Sequence, residues 1–245
     1  MTTPVSRRRA VVTGASRGLG EVLAGFLAGS GYDLILVART APDLVAVADR
    51  LRARGAHVST VVGSVADPST RAEIRAVVEP QESLDLLVNN ASELGPPGRP
   101  PLVVVPPEVF ENVLRVNVVA PLALVQTLLP FLSRSGSGLV VNITSDAAAG
   151  AYPGWGAYGS SKSALDLVSR TLAAELAENH LSVVAVDPGD LRTAMHQAAF
   201  EGTEISDRPL PEATVPFWAW LFGQEPTSVS GRRFQAQAER WGEPA

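Results

Sequence analysis

Two residues that lie four positions apart, Tyr158 and Lys162, combine a phenol with an amine. On a helix, side chains at positions i and i+4 share one face, with their Cβ atoms about 5–6 Å apart. At about 4 Å and an effective dielectric of about 20, an ammonium stabilises a phenolate by about 4 kcal/mol, or roughly three pKa units. The spacing therefore predicts that Lys162 brings the pKa of Tyr158 close to neutrality, where an acid–base catalyst works best.

The composition of the chain makes this pair unusual. Its 20 basic residues are 19 arginines and one lysine, which is Lys162. An ammonium is a compact charge with three donors, whereas a guanidinium is planar and stays protonated. With three tyrosines in the chain, the odds of a chance tyrosine four residues before the lysine are roughly 1%. We interpret the pair as a proton-transfer device, and the alternative is an exposed helical pair without function.

A glycine-rich loop near the start of the chain is typical of a phosphate site. Residues Arg9–Thr13 read as a short buried strand, Gly14, Gly18 and Gly20 follow at once, and an apolar helix is predicted over 19–29. Free N–H groups and the helix dipole at such a junction attract an anion, and glycines let the backbone approach it. The spacing is not the GxGxxG fingerprint, and a plain glycine-rich turn is the alternative. The pattern predicts a site for the pyrophosphate of a dinucleotide.

The next predicted strand, Asp33–Ala38, ends at Arg39. Many dinucleotide folds place an acid there to bind the adenosine ribose. An arginine can instead pair with a 2′-phosphate, and Arg17 in the glycine loop can converge on the same group. Both arginines are alternatively plain surface residues. The implied cofactor is NADP rather than NAD.

Strands and helices alternate along the rest of the chain, which predicts a Rossmann-type, doubly wound parallel sheet of about seven strands with helices on both faces. We expect residues 1–245 to form one such domain. Ligands of these sheets bind outside the carboxyl ends of the strands, where Gly14, Arg39, Ser64 and Asn90 fall. The remaining predicted elements are helices at 42–54, 68–79, 107–132 and 157–178 and strands at 57–62, 84–89, 138–144, 181–187 and about 229–234.

The predicted long helix 107–132 contains Asn117 and Pro121. A proline inside a helix frees a carbonyl and kinks the axis. Asn117, one turn earlier, is placed to hold a water or a loosened backbone group; a polar residue tolerated in a bent helix is the alternative. The proline-rich segment 95–101 before this helix is too short for an interdomain linker, and we expect a rim loop.

Bulky apolar residues concentrate in 194–222, which predicts two helices that form a lid over an apolar substrate; an oligomer contact is the alternative. Trp155, Met195, Phe200 and Trp218 are the residues expected to line that pocket. The other bulky residues of the segment are Phe217, Trp220, Leu221 and Phe222.

The composition excludes several classes of function. Hydrophobic content of 46% with 18% charged residues excludes a disordered chain. A net charge of −5 argues against nucleic acid or an anionic membrane as a partner. The chain has no cysteine, no signal-like N-terminal segment and no apolar run approaching 18 residues. We expect a cytoplasmic protein without a metal site.

In order and spacing, these motifs resemble the short-chain dehydrogenase/reductase family over residues 9–235. The resemblance implies a catalytic tetrad of Asn117, Ser145, Tyr158 and Lys162. It also implies NADP as cofactor, a small carbonyl or alcohol substrate, and a homodimer or homotetramer. The motifs are Thr13-Gly14-x-x-x-Gly18-x-Gly20, Asn89-Asn90-Ala91, Asn117, Ser145 with Tyr158-x-x-x-Lys162, and Pro188-Gly189 followed by Thr193. The implied cofactor contacts are Gly14, Ser16, Arg17, Gly18, Leu19, Gly20, Arg39, Ser64, Val65, Asn90, Tyr158, Lys162, Leu191 and Thr193.

The resemblance also implies the mechanism. Ser145 and Tyr158 hold the substrate oxygen, Tyr158 transfers the proton, Lys162 binds the nicotinamide ribose, and Asn117 positions a water in the proton relay. Three departures stand out: Ser64 replaces the usual aspartate, Ser92 replaces the usual glycine after Asn-Asn-Ala, and the tail after strand seven lacks the common glycine-rich ending.

Two other functions compete with this interpretation. One is a catalytically silent NADP-binding sensor, which needs the glycine loop but not the tyrosine. The other is an epimerase or dehydratase with tightly held NAD, a class that usually carries an added substrate domain.

Overall fold

The computed structural model describes residues 7–242; residues 1–6 and 243–245 of the predicted domain lie outside the described residues. Within the described part, seven strands form one sheet in the order β3-β2-β1-β4-β5-β6-β7, and every neighbouring pair is parallel. The predicted seven-stranded parallel sheet is confirmed. The strands are β1 (Arg9–Thr13), β2 (Asp33–Ala38), β3 (Val58–Val62), β4 (Leu86–Asn89), β5 (Gly138–Ile143), β6 (Leu181–Asp187) and β7 (Arg233–Gln235).

The order of the strands reverses between β1 and β4. From β1 the chain moves outward to β3, returns to β4 on the other side of β1, and then continues outward to β7. Loops at the carboxyl ends of β1 and β4 therefore diverge and leave a crevice, which is where open parallel sheets bind ligands.

Helices cover both faces of the sheet, as predicted for a doubly wound fold. Consecutive residues of β1, Val11 and Val12, are fully buried on opposite faces, since side chains alternate along a strand. One face packs on α1, α2 and α8, the other on α3, α5 and α6. The helices are α1 (Gly18–Gly29), α2 (Ala41–Arg52), α3 (Pro68–Val78), α4 (Pro107–Leu114), α5 (Ala120–Arg134), α6 (Gly156–Glu175), α7 (Ala194–Ala199), α8 (Val215–Leu221) and α9 (Pro226–Val229).

The helix predicted over 107–132, with a kink at Pro121, consists of three consecutive segments. Between α4 and α5 the segment Arg115–Val119 is a π-turn, in which the N–H of Ala120 donates to the carbonyl of Arg115. Pro121 has no N–H to give to the carbonyl of Asn117, four residues earlier, so regular α-helical bonding cannot continue there. The expected disruption is present, and the carbonyl that Pro121 leaves without its usual donor belongs to Asn117.

The stretch Pro107–Arg134 has 28 residues and contains an 18-residue window with a mean hydropathy of 1.7, enough by length and composition alone to cross a membrane. Its buried residues include Leu124, Val125 and Leu128, which belong to the core on one face of the sheet. A helix buried in a protein core is as apolar as a membrane-spanning one. Packing against the sheet accounts for the apolar composition of this stretch.

The aromatic helix α8 belongs to the core and not to a lid, which corrects the sequence-based expectation. Phe217 and Trp218 are 0% exposed and pack in the same cluster as Leu221 and Phe234. The indole N–H of Trp218 donates to the hydroxyl of Thr214 at 2.8 Å. The bulky residues gather here because they fill the space between α1 and β7, where large aromatic side chains bury the most apolar area.

Candidate active site

A cleft of about 930 Å³ opens at the carboxyl ends of the central strands, between the loops that follow β1 and β4. Two residues predicted for the site, Gly20 and Asn117, lie behind its surface and not on it. The other predicted site residues line it: Gly14, Ser16, Arg17, Gly18, Leu19, Arg39, Ser64, Val65, Asn90, Ser145, Tyr158, Lys162, Leu191 and Thr193. The structure thus gathers residues from across the sequence around one cavity.

The glycine loop at one end of the cleft needs its glycines. Gly14 and Gly18 have φ of +66° and +60°, the left-handed region that side chains disfavour. A Cβ on Gly20 would lie 2.2 Å from the carbonyl oxygen of Gly14 and 2.6 Å from Nδ2 of Asn90. Gly20 therefore permits close packing of α1 under the loop, although it does not face the cavity.

The loops after β1 and β4 are tied together by Thr13 and Asn90. The hydroxyl of Thr13 accepts from the N–H groups of Asn90 and Ala91, each at 3.0 Å, and donates to the carbonyl of Val88 at 3.1 Å. The Asn90 amide donates to the carbonyls of Thr13 and Gly14 at 2.9 and 3.1 Å. No side chain caps the N-terminus of α1 at Arg17, so its first N–H groups stay available to an anion.

Two cations line the cleft beside the loops that follow β1 and β2. Arg17 and Arg39 both lie on its wall, as the sequence predicted. The guanidinium of Arg39 is 3.5 Å from the carboxylate of Glu93, and its side chain is 66% exposed. This pair was not anticipated, because Glu93 follows β4 and reaches across the mouth of the cleft to the residue after β2.

Tyr158 and Lys162 both lie on α6 and both face the cleft. Lys162 is buried, and its ammonium donates to the carbonyl of Ile143 at 2.7 Å and lies 5.4 Å from the centre of the Tyr158 ring. The half-buried Tyr158 hydrogen-bonds through its hydroxyl to the hydroxyls of Ser145 and Ser92. Tyr158 and Lys162 thus share one face of α6, as the spacing predicted, and Ser145 lies beside the tyrosine.

The electrostatics of this pair differ from the expectation. Burial raises the pKa of Tyr158 above its ordinary value; the hydrogen bonds from Ser92 and Ser145 lower it only in part, and the charge of Asp187 raises it further. Burial also lowers the pKa of Lys162 to about 8 against the opposing charges of Asp166 and Asp187. The prediction that Lys162 brings the pKa of Tyr158 near neutrality is therefore wrong, because burial disfavours both charged forms. Near neutral pH the phenol keeps its proton and is a proton donor.

The side chain of Asn117 is buried and fixed from several sides. Its amide oxygen accepts from the N–H of Glu93 at 2.7 Å and from the Ser92 hydroxyl at 3.2 Å. Its amide nitrogen donates to the Glu93 carbonyl at 2.8 Å and to the hydroxyl of Ser161 at 2.9 Å. Asn117 therefore clamps the loop after β4 to α6, one residue before Lys162.

The opposite end of the cleft is aromatic. Trp155, Met195 and Phe200 line it as predicted, whereas Trp218 does not. The Trp155 ring lies 5.8 Å from that of Tyr158 and 6.1 Å from that of Phe200. The guanidinium of Arg99, from the proline-rich loop, stacks over Trp155 and Phe200 at 5.0 and 4.6 Å, so the expected rim loop holds both aromatic residues by cation–π contacts.

This arrangement of a glycine loop, a buried lysine and a tyrosine around one cleft is matched by a known family. The family profile described as short chain dehydrogenase matches residues 8–204. The chain belongs to the short-chain dehydrogenase/reductase family. It is an oxidoreductase, and the resemblance stated from the motifs is confirmed.

Relatives of this family are similar over nearly the full chain. The oxidoreductase YciK of Escherichia coli K12 is 31% identical over 236 residues, covering 94% of this chain and 92% of YciK. A short-chain dehydrogenase from Pseudomonas syringae superposes with a TM-score of 0.88 at 33% identity, with 94% of each chain covered. Another from Shigella flexneri, in complex with NADP, gives a TM-score of 0.88 at 30% identity, covering 94% of this chain and 97% of that one.

Sequence reasoning did not identify several residues of the short-chain dehydrogenase site. Asp146 lies on the cleft wall and accepts from the Ser145 hydroxyl at 2.9 Å, and Tyr152 lies beside it. The sequence positions of Asp146 and Tyr152, between Ser145 and Tyr158, could have indicated that both lie near the site. Arg233 also contacts Ser145, from 88 residues away, and no local pattern indicates that contact.

Proposed function

We propose that the protein is an NADP(H)-dependent reductase that transfers a hydride between the nicotinamide and a carbonyl or secondary alcohol, with Tyr158 as general acid. The single observation that carries the proposal is the meeting of the Tyr158 hydroxyl, the Ser145 hydroxyl and the buried Lys162 inside the cleft. Asn117 acts behind them, and we propose that its carbonyl orders a water of the proton relay.

The residues of the cleft fit the cofactor. Gly14 and Gly18 keep positive φ in the loop, where a Cβ on Gly14 would lie 2.8 Å from Nδ2 of Asn90, and the uncapped start of α1 provides N–H donors for phosphate. The NADP-bound Shigella relative and the two cations at the adenosine end, Arg17 and Arg39, support NADP as the form used. The remaining contacts proposed for the cofactor are Ser16, Leu19, Gly20, Ser64, Val65, Asn90, Tyr158, Lys162, Leu191 and Thr193.

When bound, NADPH supplies the hydride, and the residues of the chain manage the proton. Tyr158 holds its proton near neutral pH because burial raises the pKa of its hydroxyl, so it can donate to a carbonyl oxygen as negative charge develops there. Ser145 offers a second hydroxyl to the same oxygen once it turns from Asp146. Lys162, still protonated at pH 7, stabilises the phenolate that forms when Tyr158 gives up its proton. Donors fixed before the reaction in this way are the largest usual source of catalysis.

Replacing Tyr158 by phenylalanine tests the proposal. We expect Tyr158→Phe to bind NADPH as the wild type does and to lose at least about a hundredfold in turnover, the lower range for removing an acid–base group. Tyr32→Phe is the matched control, because Tyr32 lies outside the cleft lining and its loss leaves the site intact. Retained turnover in Tyr158→Phe would contradict the assignment.

The substrate is best sought with an NADPH-oxidation screen over a broad carbonyl library. The aromatic wall of Trp155 and Phe200 supports apolar carbonyl compounds. Tight NADPH binding without oxidation on any compound would favour the sensor function instead. The cytoplasmic location and the assembly as a homodimer or homotetramer stay predictions.

A further inference from the structure

Arg233, the first residue of β7, reaches across two strands into the region behind the catalytic serine. Its Nη2 donates to the carbonyl of Ser145 at 2.8 Å and to the carboxylate of Asp187 at 3.3 Å, while its Nε donates to Asp166 at 3.0 Å. Of the three acceptors, Ser145 follows β5, Asp187 ends β6 and Asp166 lies on α6. One planar guanidinium thus joins three elements, a geometry that the fixed fork of arginine suits and the point charge of lysine does not.

The two carboxylates that Arg233 binds also surround the catalytic lysine. Asp166 lies one helical turn after Lys162 on α6, and both Asp166 and Asp187 act on the charge of Lys162. Asp187 is 3% exposed and acts on Tyr158 as well. A buried carboxylate needs a partner, and Arg233 provides it for Asp187.

We propose that Arg233 is a positioning residue for the reaction, which holds the Ser145 backbone in place and balances the charges of Asp166 and Asp187 beside Lys162 and Tyr158. The proposal rests on the proposed reductase function. It assigns a catalytic task to the edge strand β7, which lies outside the segment that the family profile matches.

Without Arg233, two consequences follow for the groups that face Tyr158. Those groups are Lys162 on α6, Asp187 at the end of β6 and Asp146 after β5. Removal of a cation beside Asp187 makes the phenolate less favourable, so the pKa of Tyr158 rises. In addition, the Ser145 carbonyl loses a donor, which loosens the backbone that carries the serine hydroxyl.

The test compares Arg233→Met with Arg233→Lys and the control Arg170→Met, which removes one exposed cation from α6. We expect Arg233→Met to lower kcat at least about tenfold while the NADPH Kd stays within about threefold. The alkaline limb of its pH profile, where kcat for carbonyl reduction falls, should move up by about half a pH unit or more. Arg233→Lys keeps the charge, so its limb should stay at the wild-type pH while kcat remains lowered. Arg170→Met should match the wild type in each measurement.

A readout independent of turnover separates this inference from the reductase proposal. Because the chain has one lysine, lysine labelled with ¹³C reports the titration of Lys162 directly. Its midpoint should rise in Arg233→Met and stay unchanged in Arg170→Met. A wild type inactive on every carbonyl, with this rise present, would overturn the reductase function and keep the electrostatic role of Arg233. The inference would be overturned if the wild type is active and Arg233→Met leaves kcat, the alkaline limb of the pH profile and the titration midpoint of Lys162 unchanged. If Arg233→Met does not fold, wild-type kcat in Arg233→Lys overturns the positioning role.

Discussion

The burial of Lys162 has a measurable consequence for stability. The ammonium is 2% exposed, and loss of hydration lowers the pKa of Lys162 from 10.5 to about 8. One pKa unit corresponds to about 1.4 kcal/mol, so the protonated lysine makes folding less favourable by about 3 kcal/mol below pH 8. Between pH 8 and about 10.4 the unfolded chain keeps this proton and the folded chain does not. Stability therefore rises with pH across that window.

Lys162→Met is the perturbation that isolates this effect. It removes the buried ammonium together with the hydrogen bond to Ile143, which is worth about 1.5–3 kcal/mol as a bond to a charged group. Near pH 7 we expect the variant to be as stable as the wild type or up to about 1.5 kcal/mol more stable. The difference in unfolding free energy should shift by about 3 kcal/mol in favour of the wild type as the pH rises to about 10.4.

Two assays check the prediction. Urea unfolding of both proteins, followed by tryptophan fluorescence, to which the buried Trp218 contributes, gives the stability difference at each pH, and effects of groups common to both largely cancel. The labelled-lysine signal of the wild type gives the midpoint itself, expected near 8. A midpoint near the ordinary value of about 10.4, with a stability difference that does not change with pH, would refute the desolvation argument.

Three further substitutions test other parts of the site. Arg39→Asp is expected to shift the preference from NADPH toward NADH, and an unchanged ratio of kcat/KM values would show that Arg39 does not bind the 2′-phosphate. Gly20→Ala places a Cβ 2.2 Å from a backbone oxygen and should weaken NADPH binding and lower the melting temperature. Its control Gly25→Ala, in the same helix with open space around it, should add up to about 1 kcal/mol of stability; similar melting shifts in both would contradict the packing argument. Ser92→Gly removes a hydrogen bond that lowers the pKa of Tyr158, so the phenol becomes a weaker acid and kcat for carbonyl reduction should fall; an unchanged kcat would count against that contact.

Local patterns sufficed for the sheet and for much of the cleft. The strands β1, β2 and β6 have the predicted bounds, because buried parallel strands are continuous apolar runs. The spacing of Tyr158 and Lys162 fixed their shared face, since helical geometry depends on nothing beyond the helix. β7 is shorter than predicted because Pro226–Val229 forms a helical turn just before it.

What the sequence could not provide depends on contacts between distant segments. The pKa of Tyr158 was predicted with the wrong sign because spacing does not reveal how strongly the phenol itself is desolvated. The aromatic residues around Trp218 were assigned to a lid because their apolar character is the same in a core. The Asn117 side chain was expected to hold a water or a loosened backbone group of its own helix, and it binds the backbone of Glu93, which follows another strand.

The contact between β7 and Ser145 also bears on biosynthesis. A ribosome delivers the glycine loop, the tyrosine and the lysine some seventy or more residues before Arg233. Until β7 pairs with β6, Asp187 and the Ser145 carbonyl lack the donor that they share. The proposed proton-transfer centre is therefore complete only after the edge strand of the sheet has been synthesised and has docked.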